Sequence, residues 1–480
     1  MMSASDAGGE RGPRTGAASV VSQPDLVRWL RTDRHQGRLI WLCNIGVEQH
    51  WRDSRYALVD HREDEVVSRI ADLPLLLGRE QDVVLLREHP DPLFLDLLKS
   101  LGLGGCKVVV ANSASAHTCL TEMLLRDESA IEELRQYVEA SSEPAWLVPF
   151  GVSKWEEELG RLIGAEVFGA PSDVGRKVNS KLESRMLAMG LGMPVATGEI
   201  CESLEQVRAA WGRLASGATP RTVVIKQPHG ASGKGMYLVR SATQLEATLR
   251  LLERVYEGRE TGPHLVECWH EKLADLNYQL QIGPSGPTPV FSLKSQLVEG
   301  VVYVGSVDPS AVSRELEEAI RNAGQRIGAR LQSKGYRGIA SVDGMVLGDG
   351  TLIPIVEING RLSLSTYTSF LRDRLGCSVL LTGYHRLSAH RSIAYSEILD
   401  LLSTAGLRYD RDLRRGVIVY SASSLPRDSG KGHECIGRAF FAVCADNRAD
   451  VGHLHRRFQG TMAMLVDDSN SGVLRTGPQS

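Results

Sequence analysis

No stretch of this sequence stays apolar for the ~18 residues that a membrane-crossing helix needs, which excludes a helical membrane protein. An excess of charge of one sign is missing too. Lys and Arg number 55 and Asp and Glu 58, a net charge of −3, so there is no electrostatic footprint for nucleic acid or an anionic membrane. The densest basic run, Arg411 to Arg415, is interrupted by Asp412 and reads as a solvated loop. Eight cysteines are scattered without a CxxC pair, which speaks against a disulfide framework and for a reducing, cytoplasmic setting. The first apolar run is not followed by GxGxxG, so a dinucleotide fold is not expected. There is no HRD loop of a protein kinase, and no repeat at solenoid periods. His453 and His455 sit two apart on a helical stretch, and that spacing points them away from each other.

What remains is the pattern of a soluble globular chain of 480 residues, long enough for several domains. Residues 1–36 lack an apolar signal core and are expected to be a disordered leader. Over 37–172, short buried runs (Leu39 to Cys43, Asp82 to Leu86, Lys107 to Ala111) alternate with helical stretches such as Asp91 to Leu101. This predicts an open, mostly parallel α/β sheet. Asn44-Ile45-Gly46 and Asn112-Ser113 end two of its strands, where such sheets bind ligands, although a plain turn is the favoured reading of Asn112-Ser113. A second unit spans 173–376. It includes an amphipathic helix from Ser180 to Leu187 and strands over Thr222 to Lys226, Met236 to Val239, His264 to Trp269, Tyr278 to Ile282 and Val290 to Leu297. A helix from Ser313 to Lys334 carries Leu316, Ile320, Ala323, Ile327 and Leu331 on one stripe. Residues 377–466 read as a smaller unit: a helix from Ser396 to Ala405, strands Val417 to Ala422 and Ala439 to Ala445, and a helix from Ala449 to Phe458. Residues 467–480 are expected to be a flexible tail.

Two stretches carry chemistry. The first, GIASVDGMVLGDGTLIPIVEINGR over 338–361, predicts a β-hairpin turning at Gly348-Asp349-Gly350. Glu357, Asn359 and Arg361 alternate with Val356 and Ile358, so all three face one side. The turn brings Asp343 opposite or diagonal to Glu357. Carboxylates that close repel one another unless a cation lies between them, and hard oxygens beside an amide suit Mg²⁺ shared with substrate phosphates. The second stretch, VVIKQPHGASGKGM over 223–236, delivers Lys226 on a strand into the turn Gly230-Ala231-Ser232-Gly233-Lys234-Gly235. Such glycines let backbone N–H groups converge on a phosphate, and Lys226 and Lys234 add charge. A Walker loop does not fit, since Lys234 is followed by Gly235 rather than Ser or Thr.

In this order, the lysine strand, glycine loop and acidic hairpin resemble the ATP-grasp superfamily over about 173–376. GIASVDG and EINGRLS resemble most closely the peptide ligases of the pheganomycin-biosynthesis type. The resemblance implies an ATP-grasp body of α+β character, preceded by an open α/β pre-ATP-grasp domain and followed by a small α/β cap. It implies that ATP is bound by Lys181, Lys226, His229, Gly230, Ser232, Gly233, Lys234 and Gly235. It makes Val266 to Trp269 the hinge that holds adenine, with Glu267 and Trp269 as contacts; an exposed strand-end charge is the alternative for Glu267. Lys294 is implied as a phosphate or substrate contact, with a solvated strand lysine as the alternative. Asp343, Glu357 and Asn359 correspond to the metal set, with Mg²⁺ expected and Mn²⁺ as a substitute. Arg361, with Lys226, is implied as catalytic, facing the reacting carboxylate. Two positions depart from common members: Ser180 stands where many have Asp, and Ser341 where an arginine is common. These make the biotin-dependent carboxylases a poor fit.

The implied reaction joins a small-molecule carboxylate to the amine of an amino acid or peptide through an acyl phosphate, giving ADP and phosphate. No nucleic-acid or membrane partner is expected, and a homodimer is allowed. The rivals are a small-molecule kinase on the same fold, separable by the amine dependence of ADP release, and a non-catalytic nucleotide-binding regulator.

Overall fold

A computed structural model of the chain describes residues 37–51, 66–112, 119–216, 222–230, 235–256, 262–428 and 434–471. The expected leader, the loop residues Ser232, Gly233 and Lys234, and residues 472–480 lie outside them. Three sheets organise the rest. The first has β1 (Arg38–Leu42), β2 (Val83–Leu86), β3 (Lys107–Val110), β4 (Ala145–Pro149) and β5 (Glu166–Val167) in the order β3-β2-β1-β4-β5. Every pairing in it is parallel. β1 and β4 sit at the centre, covered on both faces, which is why they read as unbroken apolar runs. β4 and β5 went unanticipated. The helix after β2 covers Pro92–Ser100, and Asp91 caps it by accepting from the amides of Leu93 and Phe94.

The second sheet contains β6 (Gly198–Cys201), β7 (Val223–Lys226), β8 (Met236–Val239) and β9 (His264–Cys268), ordered β6-β9-β7-β8 and antiparallel. The helices Leu204–Ala215 and Ala242–Val255 supply buried Val207, Ala210, Leu245, Leu249 and Leu252 to its own small core.

The third sheet is the largest. β10 (Lys272–Ile282), β11 (Val290–Glu299), β12 (Val302–Asp308), β13 (Gly338–Leu347), β14 (Leu352–Asn359), β15 (Val379–Ala389), β16 (Gly416–Val419) and β17 (Cys435–Ala445) run in the order β14-β13-β10-β11-β12-β15-β17-β16. Strand alternation gives it two unlike faces. Leu276, Tyr278, Leu280, Ala340, Val342 and Ile358 pack on one side, in a core shared with Ile320, Ile327 and Leu331 of the helix Arg314–Ser333. The other side carries Asn277, Gln279, Lys294, Ser341 and Thr382, all buried although polar.

The C-terminal strands β15, β16 and β17 therefore extend the sheet that holds the acidic hairpin. Their apolar residues join the core of the first sheet: Phe94 meets Tyr395 edge-on at 5.5 Å. Buried Asp72 accepts hydrogen bonds from the Ser421 hydroxyl and from the amides of Ala422 and Ser423. The closing helix runs Arg448–Ser471, well past Phe458. Its buried stripe Val451, Leu454, Phe458, Met462 and Leu465 keeps helical spacing across Gly460, which is why that glycine does not end it.

Candidate active site

The hairpin forms as its alternation predicts. Asp343 on β13 pairs directly with Glu357 on β14, and Ser341 with Asn359. The same row continues through Asn277 on β10 to Lys294 on β11. Asp343 accepts from Asn277 Nδ2 at 2.8 Å, Gln296 Nε2 at 2.9 Å and Asn359 Nδ2 at 3.1 Å. Burial, and after it the facing charge of Glu357, pushes the Asp343 carboxyl up to about 6 against those hydrogen bonds. Lys181, buried at the start of the helix Lys181–Gly190, donates from Nζ to Glu357 Oε1 and to Gly230 O, both at 2.8 Å. It thus ties the mouth of the glycine loop to the acidic strand. Two neighbours place that strand end. Ser184 Oγ accepts from Ile358 N at 3.0 Å, and Asn179 clamps the Gly360 peptide from both sides. A Cβ at Gly360 would lie 2.8 Å from Val178 Cγ1, so only glycine fits between Asn359 and Arg361.

Metal binding can be tested on these residues. Among the described residues no group of three or more His, Cys, Asp or Glu side chains gathers as a metal site. The hairpin instead offers two facing carboxylates and an amide, a set that suits a cation sharing its shell with phosphate oxygens. Burial first, and the facing Glu357 charge second, raise the Asp343 carboxyl. The donor set fits Mg²⁺.

Lys226 ends β7 and donates to Glu267 Oε2 at 2.5 Å; Arg185 Nη1 reaches Oε1 of the same carboxylate at 2.7 Å. Arg185 also donates to Ala196 O at 2.9 Å and to Gly198 O at 2.5 Å. Glu267 is therefore no exposed strand-end charge: it is buried between two cations and sets the position of Lys226. The expected hinge begins inside the second sheet. β9 lies between β6 and β7, which occupy its backbone on both edges, and the Trp269 amide donates to Thr222 O at 2.8 Å. Trp269 keeps its ring, half-buried, with Lys272 Nζ 5.1 Å from the centroid. His229 Nε2 lies 3.1 Å from Arg176 O, turned to that backbone. Gly235, at φ +77°, closes the loop where a Cβ would meet Gln227 Oε1 at 2.7 Å.

Arg361 is fixed from four directions. Nη2 donates to Asn359 Oδ1 and Nη1 to Leu362 O, both at 3.0 Å. Its Cζ lies 4.8 Å above the Phe150 ring, and Nε sits 2.7 Å from Glu48 Oε1. Lys294 is fully buried, which rules out the solvated alternative. Nζ donates to Ser365 O and Thr368 Oγ1 at 3.2 Å, and burial lowers it to about 8, with Asp308 opposing. Sequence reasoning missed Glu48, Asn179, Arg185, Asn277 and Gln296. Arg185 had a local signal, one helical turn after Lys181.

The Pre ATP-grasp domain family matches residues 71–165, and the PGM1 C-terminal domain family matches 397–458. The chain is 28% identical to the butirosin acyl-carrier-protein–L-glutamate ligase of Niallia circulans, over 69% of this chain and 73% of that protein. It is 26% identical to the L-propargylglycine–L-glutamate ligase of Streptantibioticus cattleyicolor, over 64% and 69%. The chain is thus similar to ATP-grasp carboxylate–amine ligases. In fold, it resembles the ADP complex of N5-carboxyaminoimidazole ribonucleotide synthetase, with a TM-score of 0.51 and 13% identity over 91% of this chain and 98% of that one. The α/β architecture with an ATP-grasp body stands as the sequence implies. No helix among the described residues is long and apolar enough to cross a membrane.

Proposed function

We propose that this ATP-grasp ligase joins the carboxylate of an amino acid to an amine through an acyl phosphate, releasing ADP and phosphate. The observation that carries the reading is the single face shared by Asp343, Glu357, Asn359 and Arg361, with Lys181 against it. Asp343, Glu357 and Asn359 would hold Mg²⁺, which when bound offsets the charge of the nucleotide phosphates. Lys226, held by Glu267, and Lys181 place positive charge beside the glycine loop, where it stabilises the β- and γ-phosphates. Arg361 presents a planar fork to the donor carboxylate, which attacks the γ-phosphorus; the amine then displaces phosphate from the acyl carbon. The names of both relatives contain L-glutamate, so amino acids are the first donors to try. Free, mostly buried cysteines suit work in the cytoplasm. A homodimer is the assembly we would test by sedimentation.

ADP release measured over a library of carboxylates and amines tests the reading. It should require both partners, hydroxylamine should trap the intermediate as a hydroxamate, and the product mass should equal an amide. Full ADP release from a donor alone, with no hydroxamate, would make the enzyme a kinase instead.

A further inference from the structure

Glu48 comes from the first domain, yet it lies against the arginine of the acidic hairpin. It opens a short helix just beyond the C-terminal end of β1, the edge at which open parallel sheets bind ligands. The junction around it is pinned. Asn44 Nδ2 donates to Gly151 O at 2.9 Å, Gly151 N returns a bond to Asn44 Oδ1 at 3.2 Å, and Leu362 N donates to Phe150 O at 2.9 Å. Glu48, Phe150 and Arg361 are thus parts of one fixed corner.

We propose that Glu48 seats the ammonium group of an amino-acid donor whose carboxylate Arg361 receives, so that the first domain selects amino acids over simple carboxylic acids. The inference rests on the ligase reading above. Glu48 Oε1 faces Arg361 Nε at 2.7 Å, and among the described residues nothing bonds Oε2. Oε2 is also absent from the fully buried polar atoms left without a partner, so it is not sealed off from solvent. The two side chains are 12% and 9% exposed, nearly closed off. A buried ion pair adds little net stability over apolar packing, so stability alone does not account for this one.

Charge supplies the selection. Arg361 uses one N–H of Nη1 on Leu362 O and one of Nη2 on Asn359 Oδ1, and each nitrogen keeps a second N–H for a ligand. A donor carboxylate arriving there meets the negative charge of Glu48 alongside. A simple acid is repelled, whereas an amino acid brings a cation close to its carboxyl group that offsets the repulsion. The site therefore discriminates by an unfavourable element as much as by a favourable one.

The test uses the full-length enzyme with hydroxylamine as the amine and the twenty protein amino acids as donors, scored by ADP release. The best donor is then compared with its desamino counterpart, for example glutarate for L-glutamate. The wild type should prefer the amino acid. Glu48→Gln, of equal shape, should lower that preference in kcat/KM at least tenfold, chiefly through the donor KM, with the KM for ATP held. Glu48→Asp should keep the preference, which also covers a Gln variant that fails to fold. An equal fall for both donors, or a raised KM for ATP, would show that Glu48 only props Arg361 and overturn the proposal. Turnover of desamino acids in preference to amino acids by the wild type overturns it too, while leaving the ligase reading intact. If no carboxylate–amine pair releases ADP, the ligase reading itself fails and this proposal falls with it.

Discussion

Replacing Lys294 with Met should make the protein more stable at neutral pH and less active. The lysine is fully buried, and burial lowers it from 10.5 to about 8. The sign follows from the direction of the shift. A folded value below the unfolded one means that the fold disfavours the charged form. The penalty is fully present below pH 8 and fades as the pH rises through 8 towards 10.5. At ~1.4 kcal/mol per unit, it amounts to about 3 kcal/mol at pH 7 and about 1 kcal/mol near pH 10. Against it stand two hydrogen bonds of 3.2 Å to Ser365 O and Thr368 Oγ1, each contributing about 1 kcal/mol. Ser365 O also accepts from Ser369 Oγ at 2.7 Å, so the variant does not orphan it. Asp308 keeps Arg372 at 2.9 Å. Lys294→Met should therefore gain about 1 kcal/mol at pH 7 and lose about as much near pH 10, read from urea midpoints at both pH values. Donor-dependent ADP release should fall, because Lys294 shares the cross-strand row of Asp343 and Glu357. A variant that is destabilised equally at both pH values would refute the burial argument.

Three further outcomes follow from the same geometry. Glu357→Gln should leave a folded protein whose ADP release falls at least ~10²-fold; near-normal turnover would remove Glu357 from the site. Arg185→Met strips the buried Glu267 of one cation and two carbonyls of their donor, so it should destabilise by about 3 kcal/mol and weaken ATP binding through Lys226. A loss under about 1 kcal/mol in urea unfolding would contradict that. Asp82 is raised from 3.8 to about 6, chiefly by burial. Its folded carboxyl thus resists ionisation, and the penalty grows as the pH climbs from about 4 through 6 and is constant above. Asp82→Asn should remove up to about 3 kcal/mol of that decline, and parallel pH–stability curves for variant and wild type would count against it.

The acidic hairpin is legible in the sequence because its signal is local. A turn fixes the pairing, alternation fixes the face, and Asp343 meets Glu357 in register. The long helix is legible for the same reason, its stripe from Ile320 to Leu331 repeating at helical spacing. The residues that complete the site are not. Glu48 reaches Arg361 and Asn277 reaches Asp343 across pairings that only the assembled sheets create. Asn277 and Gln279 do alternate with Leu276 and Tyr278, but β10 begins at Lys272, six residues before the expected Tyr278. Periodicity also cannot say which sheet a strand joins, so the shared sheet of β14 and β17 has no local trace. β9 shows the same limit: it is apolar enough to be a strand, but being flanked on both edges is a matter of topology.

The shared core of the first sheet and the C-terminal strands bears on how the polypeptide is made. Synthesis proceeds from the N-terminus, and domains ordinarily fold as they emerge. Here, among the described residues, the Asp72 carboxylate finds its donors at Ser421, Ala422 and Ser423, and Phe94 waits for Tyr395. On the ribosome, the parallel sheet must therefore hold an uncovered apolar surface while the antiparallel sheets are translated. Any nascent chain stalled before Tyr395 is a natural client for a chaperone, and a stop codon in the last strands would harm the first domain as much as the last.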